Sequence, residues 1–106
     1  MIDPAALIGT WKFTRDGVPA FIHFSGTQAF DYLQDGNSRQ LLRLWYSLEQ
    51  PAQIRFRNHP HENGWTCTIK TDGNILTITG DELETTCTRA HTHEIPAWFI
   101  EQIVNA

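Results

Sequence analysis

The chain is poor in cysteine and in positive charge, and it has no hydrophobic run of membrane-spanning length. Its two thiols, Cys67 and Cys87, allow one disulfide at most, and strand order decides whether they can pair. Eight basic residues against twelve acidic ones leave a net charge of -4, which disfavours general nucleic-acid binding and fits a soluble protein or one with a basic partner. The opening MIDPAALIGTW has neither a basic n-region nor an apolar h-region, so no export signal or membrane association is expected and a cytoplasmic location is the default. Gly-x-Ser-x-Gly, P-loop and Cys-x-x-Cys patterns are all missing. No enzyme and no cofactor are therefore expected.

What the chain does contain is β-structure signal. At 106 residues it makes one domain, residues 1–106, with room for a single core but not for a core plus a roomy ligand chamber. Short runs rich in β-branched and aromatic residues recur every 8–12 residues between Asp-Gly, Gly-Asp and Gly-Thr signals, the pattern of an all-β sandwich or barrel. The spacing predicts eight strands, at residues 9–15, 19–25, 28–34, 39–49, 53–58, 64–71, 74–80 and 82–90.

Two-residue turns fix which residues oppose each other, and opposed residues share a face of the sheet. A turn at Asp16-Gly17 sets Trp11 opposite Ile22 and Phe13 opposite Ala20. Turns at Asp72-Gly73 and Gly80-Asp81 set Ile69 opposite Leu76, Cys67 opposite Ile78 and Ile78 opposite Leu83, and carry the inward parity on to Cys87 and Arg89. At Gln50-Pro51-Ala52 a three-residue loop pairs apolar with apolar, Tyr46 with Phe56 and Leu48 with Ile54, where a two-residue loop would set Tyr46 against Arg55. Around Gly26 and Gly36 two registers fit: either Phe30 and Tyr32, or Ala29, Asp31 and Leu33, point inward. Flanking the strands, Asp3 and Pro4 begin one helical turn, and Ile95 to Asn105 forms a C-terminal helix that docks through Trp98, Phe99 and Ile103.

A one-turn helix entering Gly9-Thr10-Trp11 on the first strand, an eight-stranded meander, Arg89 at the end of the last strand and a helix after it resemble the calycin superfamily. That superfamily includes the lipocalins, the fatty-acid-binding proteins and short bacterial lipocalin-like proteins. The resemblance implies an eight-stranded antiparallel up-and-down barrel, with Gly9 and Trp11 as the Gly-x-Trp motif and Arg89 packed across that Trp at the closed end. It implies as well a non-enzymatic role, the binding of a small, mainly apolar molecule inside the barrel. The chain is much shorter than the larger lipocalins and lacks their second and third motifs.

Two His-x-His-Glu clusters, His59, His61, Glu62 and His91, His93, Glu94, are metal-ligating residue types. In an up-and-down barrel they sit at opposite ends, separated by a strand on the order of 23 Å long, so they cannot share a metal within one monomer. Solvated loop histidines are expected. Cys67 and Cys87 both point inward but are separated by strand seven, on the order of 9–10 Å apart, too far for a disulfide.

Inward parity falls on Trp11, Phe13, Ile22, Phe24, Leu42, Leu44, Tyr46, Leu48, Ile54, Phe56, Trp65, Cys67, Ile69, Leu76, Ile78 and Leu83. Two readings fit this bulk: a filled core, or a small apolar cavity lined by Phe24, Tyr46, Phe56 and Trp65, with the Tyr46 hydroxyl as a polar handle for a ligand. On the outer face Trp45 lies opposite Arg57, near Arg43 and Arg55. Such a set is a candidate interaction surface, as of an immunity protein that neutralises a toxin, or else an exposed cation–π pair or the docking surface of the C-terminal helix. An enzymatic reading would need a residue such as Asp31 turned into the cavity with a strongly shifted pKa.

Overall fold

A computed structural model describes residues 2–49, 51–81 and 83–106. Gln50, placed above in a turn, and Glu82, placed above in the last strand, lie outside the described residues. The strands are β1 (Gly9–Arg15), β2 (Val18–Phe24), β3 (Gln28–Asp35), β4 (Ser38–Glu49), β5 (Gln53–Arg57), β6 (Trp65–Asp72), β7 (Ile75–Thr79) and β8 (Glu84–Arg89). Each pairs with its sequence neighbour, and β8 returns to β1 to close the barrel. The eight-stranded antiparallel architecture expected from the turn spacing is the fold observed. Closure rests on a short ladder, Trp11 opposite Arg89 and Lys12 opposite Thr88, extended by a bond from the Ala90 amide to the Thr10 carbonyl.

The register agrees with the turn chemistry at β1–β2 and β4–β5, where Trp11 opposes Ile22 and Tyr46 opposes Phe56. At β6–β7 the expected pairing is displaced by two residues. Asp72 stays in the ladder opposite Ile75, so the turn is Gly73-Asn74 and Ile69 opposes Ile78 rather than Leu76. At β7–β8 Leu76 opposes Cys87 and Ile78 opposes Thr85, again two residues from the expected partners. Because both displacements are even, every side chain keeps its predicted face.

The open register of β3 resolves with Ala29 opposite Phe24, Asp31 opposite Ile22 and Leu33 opposite Ala20, so these three point inward. Phe30 and Tyr32 point outward yet are 1% exposed, because helix α2 (Ala97–Val104) covers them. Phe99 anchors that helix: it is fully buried, and its ring stacks on Tyr32 at 4.9 Å, while the Trp98 ring packs at a tilt against the same tyrosine at 5.7 Å. The helix therefore docks on β2 and β3 rather than on the Trp45 face. Burying a ring of this size stabilises by about 1.5–3 kcal/mol, more than an eight-residue helix has from its own propensity. The Phe99→Ala change would remove the anchor.

The closed end is built from the N-terminal turn α1 (Pro4–Leu7), capped by the Asp3 carboxylate, which accepts from the Ala5 amide at 3.0 Å. Leu7 is fully buried beneath it, and the Leu7 carbonyl accepts from Trp11 Nε1 at 2.9 Å. Arg89 lies across the Trp11 ring, its Cζ 3.8 Å from the centroid, and donates to the carbonyls of Ile8 at 2.7 Å and Ala6 at 3.0 Å. One guanidinium thus ties the last strand to the first helix over the buried indole. Gly9 makes room for it: the backbone φ there is +121°, and a Cβ would stand 2.7 Å from Arg89 Nη1.

Candidate functional site

At the other end the barrel does not fill. A cavity of about 260 Å³ opens there, walled by Phe13, Ile22, Leu44, Phe56, Trp65 and Ile78, with Leu83 and Gly80 at its edge. Three residues given inward parity, Leu42, Trp65 and Leu83, are 47%, 42% and 68% exposed. Their inward parity holds, but Leu42 lies in the stretch of β4 that runs past its pairing with β5, which begins at Trp45, Trp65 is the first residue of β6, and Leu83 precedes β8.

Local structure explains why Trp65 stands at the rim. Gly64 brings the chain back from the β5–β6 connection at φ +68°, so close to β5 that a Cβ would meet the Phe56 carbonyl oxygen at 1.8 Å. No other residue fits there, and the close approach sets Trp65 opposite Phe56, rings 5.9 Å apart. The connection is held by the outer arginines. Arg55 donates to the Asn63 carbonyl at 2.8 Å and Arg57 to the Glu62 carbonyl at 3.1 Å, while the Glu62 carboxylate accepts from the Asn58 amide.

That use of Arg55 and Arg57 changes the meaning of the Trp45 face. Trp45 does oppose Arg57, as expected, but Arg57 directs its other donors to Ser47 Oγ at 3.0 Å, and Arg55 forks onto Glu49 at 2.8 and 3.3 Å. The Arg55 hydrogen bond holds the Glu49 carboxyl below its ordinary range. Arg43 turns to the Phe30 ring instead, 5.4 Å from its centroid. Among the described residues no cation–π contact joins Arg57 to Trp45, because the arginine fork is taken up by oxygen acceptors.

Of the four residues expected to line the cavity, Phe56 and Trp65 do. Phe24 and Tyr46 lie in the packed core, edge to face at 5.2 Å. The Tyr46 hydroxyl is no handle for a ligand: it donates to the Ser25 carbonyl at 2.7 Å. The polar group that does face the cavity is Asp31, brought in by the β3 register that stayed open in the sequence because both faces of β3 carry apolar residues. Arg15 joins it. The parity of Trp11 and Phe13 already points Arg15 inward, a signal in the sequence that the exposed position of a strand-end arginine obscures.

Arg15 Nη2 donates to Asp31 Oδ2 at 3.2 Å, with the Asp31 side chain 16% exposed and the Arg15 side chain 44% exposed. Asp31 Oδ1 is buried and has no hydrogen-bond partner among the described residues, a cost of about 1–3 kcal/mol for a buried acceptor. Burial raises the Asp31 pKa, and Arg15 opposes the rise only in part. The same burial, aided by the Asp31 charge, pushes the Cys87 thiol up to about 12, and burial with nearby Asp81 raises Cys67. Both cysteines are free, line the cavity and are held protonated, so they act as small apolar wall residues.

The histidine clusters sit apart from this site. His59 and His61 lie in the β5–β6 connection at the open end, and His91 and His93 follow β8 at the closed end, their rings stacked 5.8 Å apart. Glu94 is occupied by Lys12 and by the His91 amide. Among the described residues no three metal-ligating side chains come together, and no helix is long and apolar enough to cross a membrane. No protein-family model, no curated protein and no solved structure matches the chain.

Proposed function

We propose that the protein is a small, non-enzymatic lipocalin-like barrel that binds a small, mainly apolar molecule in its interior. The observation that carries this reading is the cavity of about 260 Å³ at the open end, walled by aromatic and aliphatic side chains with a few convergent polar groups. A cavity of about 150 Å³ accepts benzene, so by scaling this one suits a ligand of roughly ten non-hydrogen atoms. Support for the calycin assignment comes from the opposite end, where Arg89 lies across Trp11 beside Gly9. Two free thiols fit a reducing compartment such as the cytoplasm.

A second reading draws on Asp31, which meets one requirement of an enzyme: a buried acid with a raised pKa facing a pocket. The wall offers little to complete it, since both thiols are protonated and no histidine lines the cavity. The alternative of a toxin-neutralising surface at Trp45 has less support, because Arg55 and Arg57 are engaged in holding the β5–β6 connection.

Native mass spectrometry of the protein as purified from cells tests the binding reading. An extra mass on the monomer, lost on denaturation, is the expected result. A clean apo mass that also stays clean when small apolar compounds are added would overturn it.

A further inference from the structure

The two charges in the cavity wall differ in depth, and the more buried one is negative. Asp31 is 16% exposed while Arg15, at the rim, is 44% exposed and leans over the Phe13 ring at 5.2 Å. From this placement we propose that the ligand is an organic amine, a small ammonium carrying an apolar ring or branched chain, seated with its nitrogen against Asp31 and its apolar part against Phe56 and Trp65. This rests on the reading of the barrel interior as a ligand site and names the chemistry that site selects.

The state of the Asp31 carboxylate points to a cation. Among the described residues the Asp31 carboxylate holds one bond, at 3.2 Å, and its Oδ1 has none. A planar carboxyl turns about its last torsion between two nearly equivalent settings, so either oxygen can face an incoming donor. Phe13, Phe56 and Trp65 line the same space and give the apolar part of such a ligand its contact surface.

Other ligand chemistries fit less well. A carboxylate would find Arg15 at the rim, but it would bring a second anion beside Asp31 within one small cavity. A hydrocarbon would fill the space and leave Oδ1 without a donor. An alcohol would satisfy that oxygen with a hydrogen bond that has no cationic donor, whereas an ammonium gives one in which both groups are charged.

Isothermal titration of the folded protein and of Asp31→Asn with three probes of similar size decides the matter: phenethylamine, propylbenzene and 3-phenylpropanoate, at about pH 7.5, where the amine is charged. For the unaltered protein, phenethylamine is expected to bind about tenfold or more tighter than propylbenzene, and D31N is expected to abolish that advantage while holding propylbenzene within about twofold. Retained propylbenzene affinity shows that the variant's cavity is intact. If propylbenzene or 3-phenylpropanoate binds the unaltered protein as tightly as the amine, or if D31N leaves the amine unaffected, the amine inference falls and the apolar cavity reading stands. If none of the three binds, both fall.

Should D31N lose propylbenzene as well, Arg15→Gln decides. Removal of the competing cation is expected to hold or tighten phenethylamine and to weaken 3-phenylpropanoate. A loss of amine affinity in R15Q would overturn the proposal.

Discussion

Removing the Arg89 side chain tests what closes the barrel. In Arg89→Ala the Trp11 ring, fully buried in the native protein, loses a guanidinium 3.8 Å from its centroid, an interaction worth about 1–2 kcal/mol when desolvated. Two hydrogen bonds from a charged donor go with it, to the Ile8 and Ala6 carbonyls. Each would be worth about 1.5 kcal/mol at the low end for charged partners, and the total is reduced because water replaces the donor at half-open Ile8. The sum is about 3 kcal/mol. With an m-value of about 2 kcal/mol/M for urea, the unfolding midpoint followed by tryptophan fluorescence should fall by about 1.5 M. Arg89→Lys keeps the charge but not the fork, and should recover about half of the loss. A midpoint change under about 0.5 M for R89A, with m unchanged, would refute the reasoning, since it would mean that the strand ladder alone closes this end.

Three further outcomes follow from the same geometry. Gly9→Ala forces a side chain into φ +121° and 2.7 Å from Arg89 Nη1, so thermal unfolding should show a loss of about 2 kcal/mol, and less in an R89A background where the clash is gone. Burial raises Asp31 above its ordinary value of 3.8, so the folded state holds a proton that the unfolded chain has already released. The stability this gives is full below that ordinary value and is lost as pH rises through the raised one, so Asp31→Leu should stabilise the protein at neutral pH by about 1–3 kcal/mol, with the gain shrinking towards acid pH in denaturant titrations. Cys87, with its thiol pushed up to about 12 and no exposed surface, should resist iodoacetamide in the folded protein and react on unfolding; prompt alkylation of Cys87 in the native state would contradict its place in the wall.

The barrel was readable from the sequence because its hairpins state their own register. Asp16-Gly17 placed Trp11 against Ile22, and apolar matching across Pro51 placed Tyr46 against Phe56. The turns at Gly73 and Gly80 were harder, since the β-forming residues around them allow pairing to extend or stop two residues early without any change of face. Strand β3 was not readable at all by alternation: Phe30 and Tyr32 are as buried on the outside as Ala29 is on the inside, because α2 covers them. That ambiguity left Asp31 in one of two possible inward sets, and the polar part of the site undecided until the register was known. Periodicity also reports face but not height along the barrel, which is why Leu83 and Leu42 were counted in the inward bulk and Phe24 and Tyr46 in the cavity wall.

The most direct test of the binding reading is a propylbenzene titration followed by two-dimensional nuclear magnetic resonance of the isotope-labelled protein. Saturable shifts at Phe13, Ile22, Leu44, Phe56 and the Trp65 indole, with Trp45 and the closed-end Trp11 unmoved, are the predicted result. Shifts that do not saturate, or that gather on the outer face around Trp45 and α2, would contradict it.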